Sequence, residues 1–382
     1  MRGRLLILTT EFPPLPGGIG VVSYYLAKEA IKQGFPETVV LATKASGYKE
    51  FDEREDDLRI LRAGWDALRY LKAIPLWVNL KKIINTHKPE AIIATSWLYG
   101  GSLAYLMRGN GPPYFVFAHG LEISRYQRKP FVRNWMKKVF AGGELTFAVS
   151  NYTASLLYSL NLPREKVLVI GNGVDIHRFK PMDASDVVKK MYNLNGKKVL
   201  LTVGRLIPRK GQEIVIRAIP LIKRKIPNIT YLIVGEGPER KKLLKLIEEL
   251  GVEAEVKLVG RVSDGLLPLY YNACDIFLMV NQVVNEVDFE GFGLVFLEAG
   301  ACGKPVIASR YGGVEDAVID GVNGVLLPEA DVGKVAEAVI GLLENPEFAR
   351  KLGEGGRRIA LASSWEKVGE KVFTEVKRKL YG

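Results

Sequence analysis

Apolar residues gather along the chain in short unbroken runs, each followed by a longer stretch with helical spacing. In the first half the runs are 4–10, 38–42, 91–96, 114–118, 145–149 and 167–170; in the second they are 198–203, 230–234, 256–259, 276–280 and 305–308. Runs rich in Val, Ile and Leu that do not alternate with polar residues predict parallel strands covered on both faces. Their alternation with helices predicts stacked βαβ units. The pattern pauses near 174–195, after the turn-rich Gly171-Asn172-Gly173. It therefore predicts an α/β protein of two doubly wound, Rossmann-like domains facing a cleft, spanning 1–180 and 181–364. A basic amphipathic helix in 365–382 is expected to cross back onto the first domain. Ligands belong at the carboxyl ends of the strands in such sheets.

Size and composition agree with this pattern. A chain of 382 residues is too long for one ordinary domain. Its 48% hydrophobic and 25% charged content is that of a globular protein. No apolar run approaches the roughly 18 residues of a membrane span, and the run at 5–8 reads as a first strand rather than a signal core. The two cysteines, Cys274 and Cys302, have no metal spacing, which argues against a disulfide or zinc framework and fits a reducing cytoplasm. The net charge of +12 is uneven: residues 1–180 carry 25 Lys and Arg against 15 Asp and Glu, the remainder 29 against 27. The first half is thus the one expected to face an anionic partner or surface.

The most informative segment is Glu290-Gly291-Phe292-Gly293-Leu294-Val295-Phe296-Leu297-Glu298. It follows a strand and opens a helix, so glycine-flanked amides at the helix start can take a diphosphate. Two carboxylates beside an anion site make chemical sense if they accept hydrogen bonds from sugar hydroxyls. The loop after the first strand of the second domain carries Arg205 and Lys210, two cations able to neutralise a departing diphosphate; a solvated basic loop is the plainer account of the same residues. Gly17 and Gly18 follow the first strand and would let backbone approach a ligand, or simply make a tight turn. His119 ends the run 114–118 at a strand's carboxyl end, where an imidazole can meet a sugar hydroxyl or serve only the structure. Glu122 just beyond it is a candidate on the acceptor side. Gly235, Arg261 and Val262 follow further strands and are expected to line the nucleotide side. The basic stretch 124–139, interleaved with Phe131, Trp135 and Met136, reads either as a membrane-surface segment or as a helix with its apolar stripe in the core. A nucleic-acid partner is not expected, because no nucleic-acid-binding fold is visible. No D-x-D pair flanks a strand end, so no essential metal or other cofactor is expected.

Taken together, the Pro-Pro-x-x-Gly-Gly loop, His119-Gly120, Gly204-Arg205 with Lys210-Gly211, and Glu290 with Glu298 resemble the retaining glycosyltransferases of family 4, whose two-Rossmann architecture is called GT-B. The resemblance covers essentially the whole chain, and the Glu-x7-Glu segment is its specific part. It implies that Gly17 and Gly18 approach the donor diphosphate and acceptor, and that His119 contacts the transferred sugar. Arg205 and Lys210 would bind the diphosphate. Glu290 would hold donor-sugar hydroxyls, the amides of Phe292, Gly293 and Leu294 the sugar or phosphate, and Glu298 the ribose. It further implies a UDP- or GDP-linked donor, front-face transfer without metal, and a sugar, lipid or small-metabolite acceptor, placing the enzyme in the cytoplasm or peripherally on the inner face of a membrane. The run 281–289 departs from the family in looking longer than the expected link. The competing readings are a sugar-nucleotide epimerase or phosphorylase on the same architecture and, from another class, a nicotinamide-dependent oxidoreductase, which lacks its G-x-G-x-x-G.

Overall fold

The computed structural model describes residues 3–65, 71–183, 186–284 and 287–382. Residues 285 and 286 of the long link therefore lie outside the described residues. The chain forms two compact units, one of residues up to Gly173 together with Trp365–Gly382, the other Val174–Ser364. The division falls directly after the turn-rich Gly171-Asn172-Gly173, so residues 174–180 group with the second unit rather than with the first.

The first unit is built on strands β1 (Arg4–Leu8), β2 (Glu37–Lys44), β3 (Arg59–Trp65), β4 (Ala91–Ala94), β5 (Tyr114–Ala118), β6 (Thr146–Ala148) and β7 (Val167–Val169). All pair in parallel, in the order β3-β2-β1-β4-β5-β6-β7. The central strands β1, β4 and β5 are buried almost throughout, as unbroken apolar runs require when helices cover both faces. The terminal helix Trp365–Tyr381 belongs to this unit and packs on helix Gly18–Lys32. Trp365 stacks on Tyr25 with ring centroids 4.9 Å apart, and a Cβ on Gly369 would come 2.6 Å from that of Glu29. The glycine permits the close helix approach.

The second unit repeats the scheme with β8 (Lys198–Val203), β9 (Ile229–Val234), β10 (Val256–Gly260), β11 (Ile276–Met279), β12 (Val306–Ser309) and β13 (Gly324–Leu327). These are also parallel, in the order β10-β9-β8-β11-β12-β13. The two ends of this unit meet: Val174 N–H donates to Ser363 O over 3.0 Å and Val174 bridges to Ser364.

Two strands, β3 and β13, were not expected from the pattern, and both are sheet edges. β3 carries Arg59 and Arg62 and is largely half-exposed. Arg62 is nonetheless drawn in, its guanidinium bound to Asp52 at 2.6 Å and to the carbonyls of Pro13 and Thr43. The stretch 124–139 is not one helix: it ends Leu121–Gln127 and restarts as Pro130–Gly142, with Pro at the first position where its missing N–H costs nothing.

Candidate active site

In a doubly wound sheet, ligands bind where the strand order reverses. In the second unit that point lies between β8 and β11. The loop leaving β8 turns through a short 3₁₀ segment, Pro208–Lys210, into Gly211, which has φ 67° and no room for a side chain: a Cβ would lie 1.9 Å from Val280 O. The loop leaving β11 is tied to it, with Gln282 N–H donating to Arg209 O over 3.0 Å and the Gln282 amide to Pro208 O over 2.6 Å.

This clamp brings Glu290 to three donors. Lys210 Nζ reaches Glu290 Oε2 at 2.5 Å, Arg209 Nη1 at 2.7 Å and Asn281 Nδ2 at 3.3 Å. Arg209 Nε also stands 3.0 Å from Asp288 Oδ1. All three bonds fall on one oxygen. Among the described residues Oε1 accepts none, and the buried Asn281 Oδ1 has no partner. Burial pushes the Glu290 carboxyl up, but Lys210 and Arg209 outweigh it and hold the group below the ordinary carboxylate value. Its backbone is fixed as well: Gly313 N–H donates to Glu290 O over 2.8 Å, and a Cβ on Gly312 would meet that oxygen at 2.3 Å.

Gly293, at φ 91°, starts helix Leu294–Ala301 with no side-chain cap, the arrangement expected of an anion-receiving helix start. Glu298 lies within that helix and accepts from Tyr271 Oη over 2.6 Å. Burial raises its pKa; the Tyr271 bond and the Arg178 charge oppose the rise. Gly235 N–H donates to Gly260 O over 2.8 Å, and a Cβ there would sit 2.0 Å from Gly204 O, so the loops after β8, β9 and β10 are packed backbone against backbone.

The expected residues thus divide. Lys210, Glu290 and Gly293 cluster at the switch point, with Glu298 further along the same helix and buried Phe292 and half-buried Leu294 beside Gly293. Arg205 and Arg261 are exposed, Val262 is half-buried beside Arg261, and neither arginine joins the Glu290 cluster. Arg209 was missed. An arginine inside a basic loop reads as solvated, and its partner Glu290 lies 81 residues away in sequence; the neighbouring Lys210 was the available signal.

In the first unit the order reverses between β1 and β4. Thr95 Oγ1, just past β4, donates to Thr9 Oγ1, just past β1, over 2.7 Å. Thr95 O receives His119 Nε2 at 2.8 Å. A carbonyl can only accept, so Nε2 carries the proton and Nδ1 is the acceptor nitrogen of the neutral ring. Burial lowers the His119 pKa, with Glu122 and the Thr95 bond opposing. Glu122 spends Oε1 on the His119 backbone N–H at 2.7 Å, so it orders the histidine loop, while its buried Oε2 has no partner among the described residues. Gly17 and Gly18 are exposed at the head of the helix that follows β1.

Two Rossmann-like parallel sheets in series, each with polar residues gathered at its switch point, define the GT-B class of fold. Residues 16–178 match the family Glycosyltransferase Family 4, and residues 186–359 match Glycosyl transferases group 1. A GDP-mannose-dependent alpha-(1-6)-phosphatidylinositol monomannoside mannosyltransferase from Mycolicibacterium smegmatis is 31% identical over 95% of this chain and 94% of its own. The chain belongs to the family 4 glycosyltransferases. A Mycobacterium tuberculosis protein of the same description is 30% identical over 97% of each chain. Among solved structures, Anabaena HepE in complex with UDP and glucose superimposes with a TM-score of 0.82 at 22% identity, covering 98% of this chain and 99% of that one. Sucrose-phosphate synthase from Thermosynechococcus elongatus does so with 0.82 at 22%, covering 99% of each. These likenesses are of fold.

Proposed function

We propose that the enzyme is a retaining glycosyltransferase moving a sugar from a nucleotide-diphosphate sugar to an acceptor hydroxyl. The observation that carries this is the Glu290 carboxylate, charged, anchored through one oxygen by Lys210, Arg209 and Asn281, and open on the other. A carboxylate fixed in this way can accept hydrogen bonds from two neighbouring sugar hydroxyls without reorganising. Lys210 and Arg205 supply positive charge from the loop after β8, and the uncapped start of helix Leu294–Ala301 supplies amides. Both suit a diphosphate leaving group without a divalent ion. In this scheme the departing phosphate takes the acceptor's proton as the new glycosidic bond forms on the same face, so configuration is kept. Glu298 receives the ribose hydroxyls. The mannosyltransferase relatives make GDP-mannose the first donor to try and a lipid-borne acceptor the first acceptor class.

Thermal unfolding with UDP, GDP, ADP and dTDP, each with and without Mg²⁺, tests the donor site. A ligand at 100 times its dissociation constant stabilises by about 2.7 kcal/mol. A metal-independent shift with one nucleotide is expected, and no shift with any would remove the donor assignment. Proton NMR of the first-formed product then reads the anomeric configuration, and a β product from an α donor would refute retention.

A further inference from the structure

Lys210 and Arg209 meet on one oxygen of Glu290, yet they are held differently. Among the described residues Lys210 Nζ has that oxygen as its partner, at 2.5 Å. Arg209 has two carboxylates: Nη1 lies 2.7 Å from Glu290 Oε2, and Nε lies 3.0 Å from Asp288 Oδ1. Nε and Oδ1 are both buried and neither makes a hydrogen bond among the described residues, so this second contact is an ion pair rather than a straight hydrogen bond. Arg209 is only 9% exposed, and a guanidinium buried to that degree needs opposite charge beside it. Asp288 stands at the far end of the long link 281–289, where the backbone is fixed on both sides. Tyr311 Oη donates to Asp288 O over 3.2 Å, and Gly313 N–H donates to Glu290 O over 2.8 Å.

The charges of Lys210, Arg209, Glu290 and Asp288 cancel. A diphosphate arriving beside them attracts both cations. If both turned to it, the Glu290 carboxylate would lose its charge partners and its fixed orientation. An ammonium on a flexible four-carbon stem can turn; a rigid planar guanidinium pinned at two nitrogens cannot. We propose that Asp288 is a positioning residue that divides the two neighbouring cations, keeping Arg209 on Glu290 while Lys210 turns to the diphosphate of the donor. Glu290 Oε2 then stays anchored by Arg209 and Asn281 with the donor bound, and its other oxygen stays open to sugar hydroxyls. Asp288 touches neither sugar nor phosphate in this scheme and acts through Arg209. The inference rests on the donor-site reading above.

The test is calorimetric titration of the full chain with GDP against GDP-mannose and with UDP against UDP-glucose. In Asp288→Asn the released Arg209 is expected to reach the diphosphate. The bare nucleotide then binds about fivefold more tightly, the order of one partly exposed charge pair. The sugar donor does not share that gain, because Glu290 has lost its anchor. The ratio of donor to nucleotide dissociation constants is therefore expected to rise by at least about fivefold. Asp288→Glu, which keeps the charge, is expected to return the ratio to that of the parent. In an Arg209→Met background Asp288→Asn is expected to leave the ratio unchanged, since its route through Arg209 is gone. Parallel weakening of nucleotide and donor in Asp288→Asn would mean a structural role only and overturn the proposal. An unchanged ratio in Asp288→Asn, a shift that persists in Asp288→Glu, or one that survives in Arg209→Met would overturn it as well. A parent that binds neither nucleotide would sink the donor reading and this inference with it; a parent that binds, with the ratio unmoved in Asp288→Asn, sinks the positioning role alone.

Discussion

Tyr271 donates its phenolic hydrogen to Glu298 Oε2 over 2.6 Å, from a helix, Leu267–Ala273, that packs beside the one carrying Glu298. Its carboxyl is pushed up by burial against that bond. Glu290, at the other end of the same motif, is held down by Lys210 and Arg209 in spite of its own burial. The two carboxylates therefore couple to pH with opposite sign.

For Glu298 the folded pKa exceeds the unfolded one, so the native state binds the proton more tightly. Stability falls as pH rises from the unfolded toward the folded value and stays lower above it. Glu298→Gln removes that loss and still offers Tyr271 an acceptor. Its melting temperature, relative to the parent, is expected to be higher at pH 7 than at pH 4, while the nucleotide-induced shift shrinks. An equal difference at both pH values would contradict the assignment.

For Glu290 the sign reverses. Its contribution is present above the usual carboxylate range and is lost as pH falls through the depressed folded value. Glu290→Gln is expected to destabilise at pH 7 and to match the parent in acid. Under the proposed mechanism its kcat falls by about 10²–10³-fold, the order for one preorganised contact. Lys210→Ala and Arg209→Ala should fall similarly; near-full turnover in Arg209→Ala would remove it from the site.

Gly211→Ala must place a methyl 1.9 Å from Val280 O at φ 67°. A loss of about 2–4 kcal/mol is expected from strain and overpacking together. Gly251 has φ 61° with nothing within 4 Å, so Gly251→Ala should cost only about 1 kcal/mol. Urea titrations of the two variants separate clash from backbone strain.

His119 is expected to stay neutral below the ordinary histidine range, with its proton on Nε2. Nitrogen-15 NMR of labelled histidine reads both properties. A proton on Nδ1 would refute the Thr95 hydrogen bond, and titration at or above the ordinary value would mean that burial does not outweigh Glu122 and that bond.

The sheets were legible where strands are covered on both faces, because burial leaves unbroken apolar runs such as Ile229–Val234. They were not legible at β3 and β13. An edge strand tolerates arginines like Arg59 and Arg62, and Gly324–Leu327 opens on a glycine inside a turn-rich stretch, so that only three apolar residues mark it. Glycine-rich turns and carboxylates at strand ends pointed to the site, since their chemistry is local. Arg209 and Asp288 were hidden because their role exists only as a pair that folding brings together.

Val174 and Ser364, where the chain enters and leaves the second unit, bridge to each other, and the residues just outside them, Gly173 and Trp365, are in contact as well. The second unit is thus a cassette with coincident ends. A cut at those two positions removes the whole Glu290 cluster in one piece and leaves a gap that a few residues could close. Under the proposed function, donor choice is then exchanged between enzymes of this architecture by transplanting one contiguous stretch of gene, with the first unit and its terminal helix unchanged.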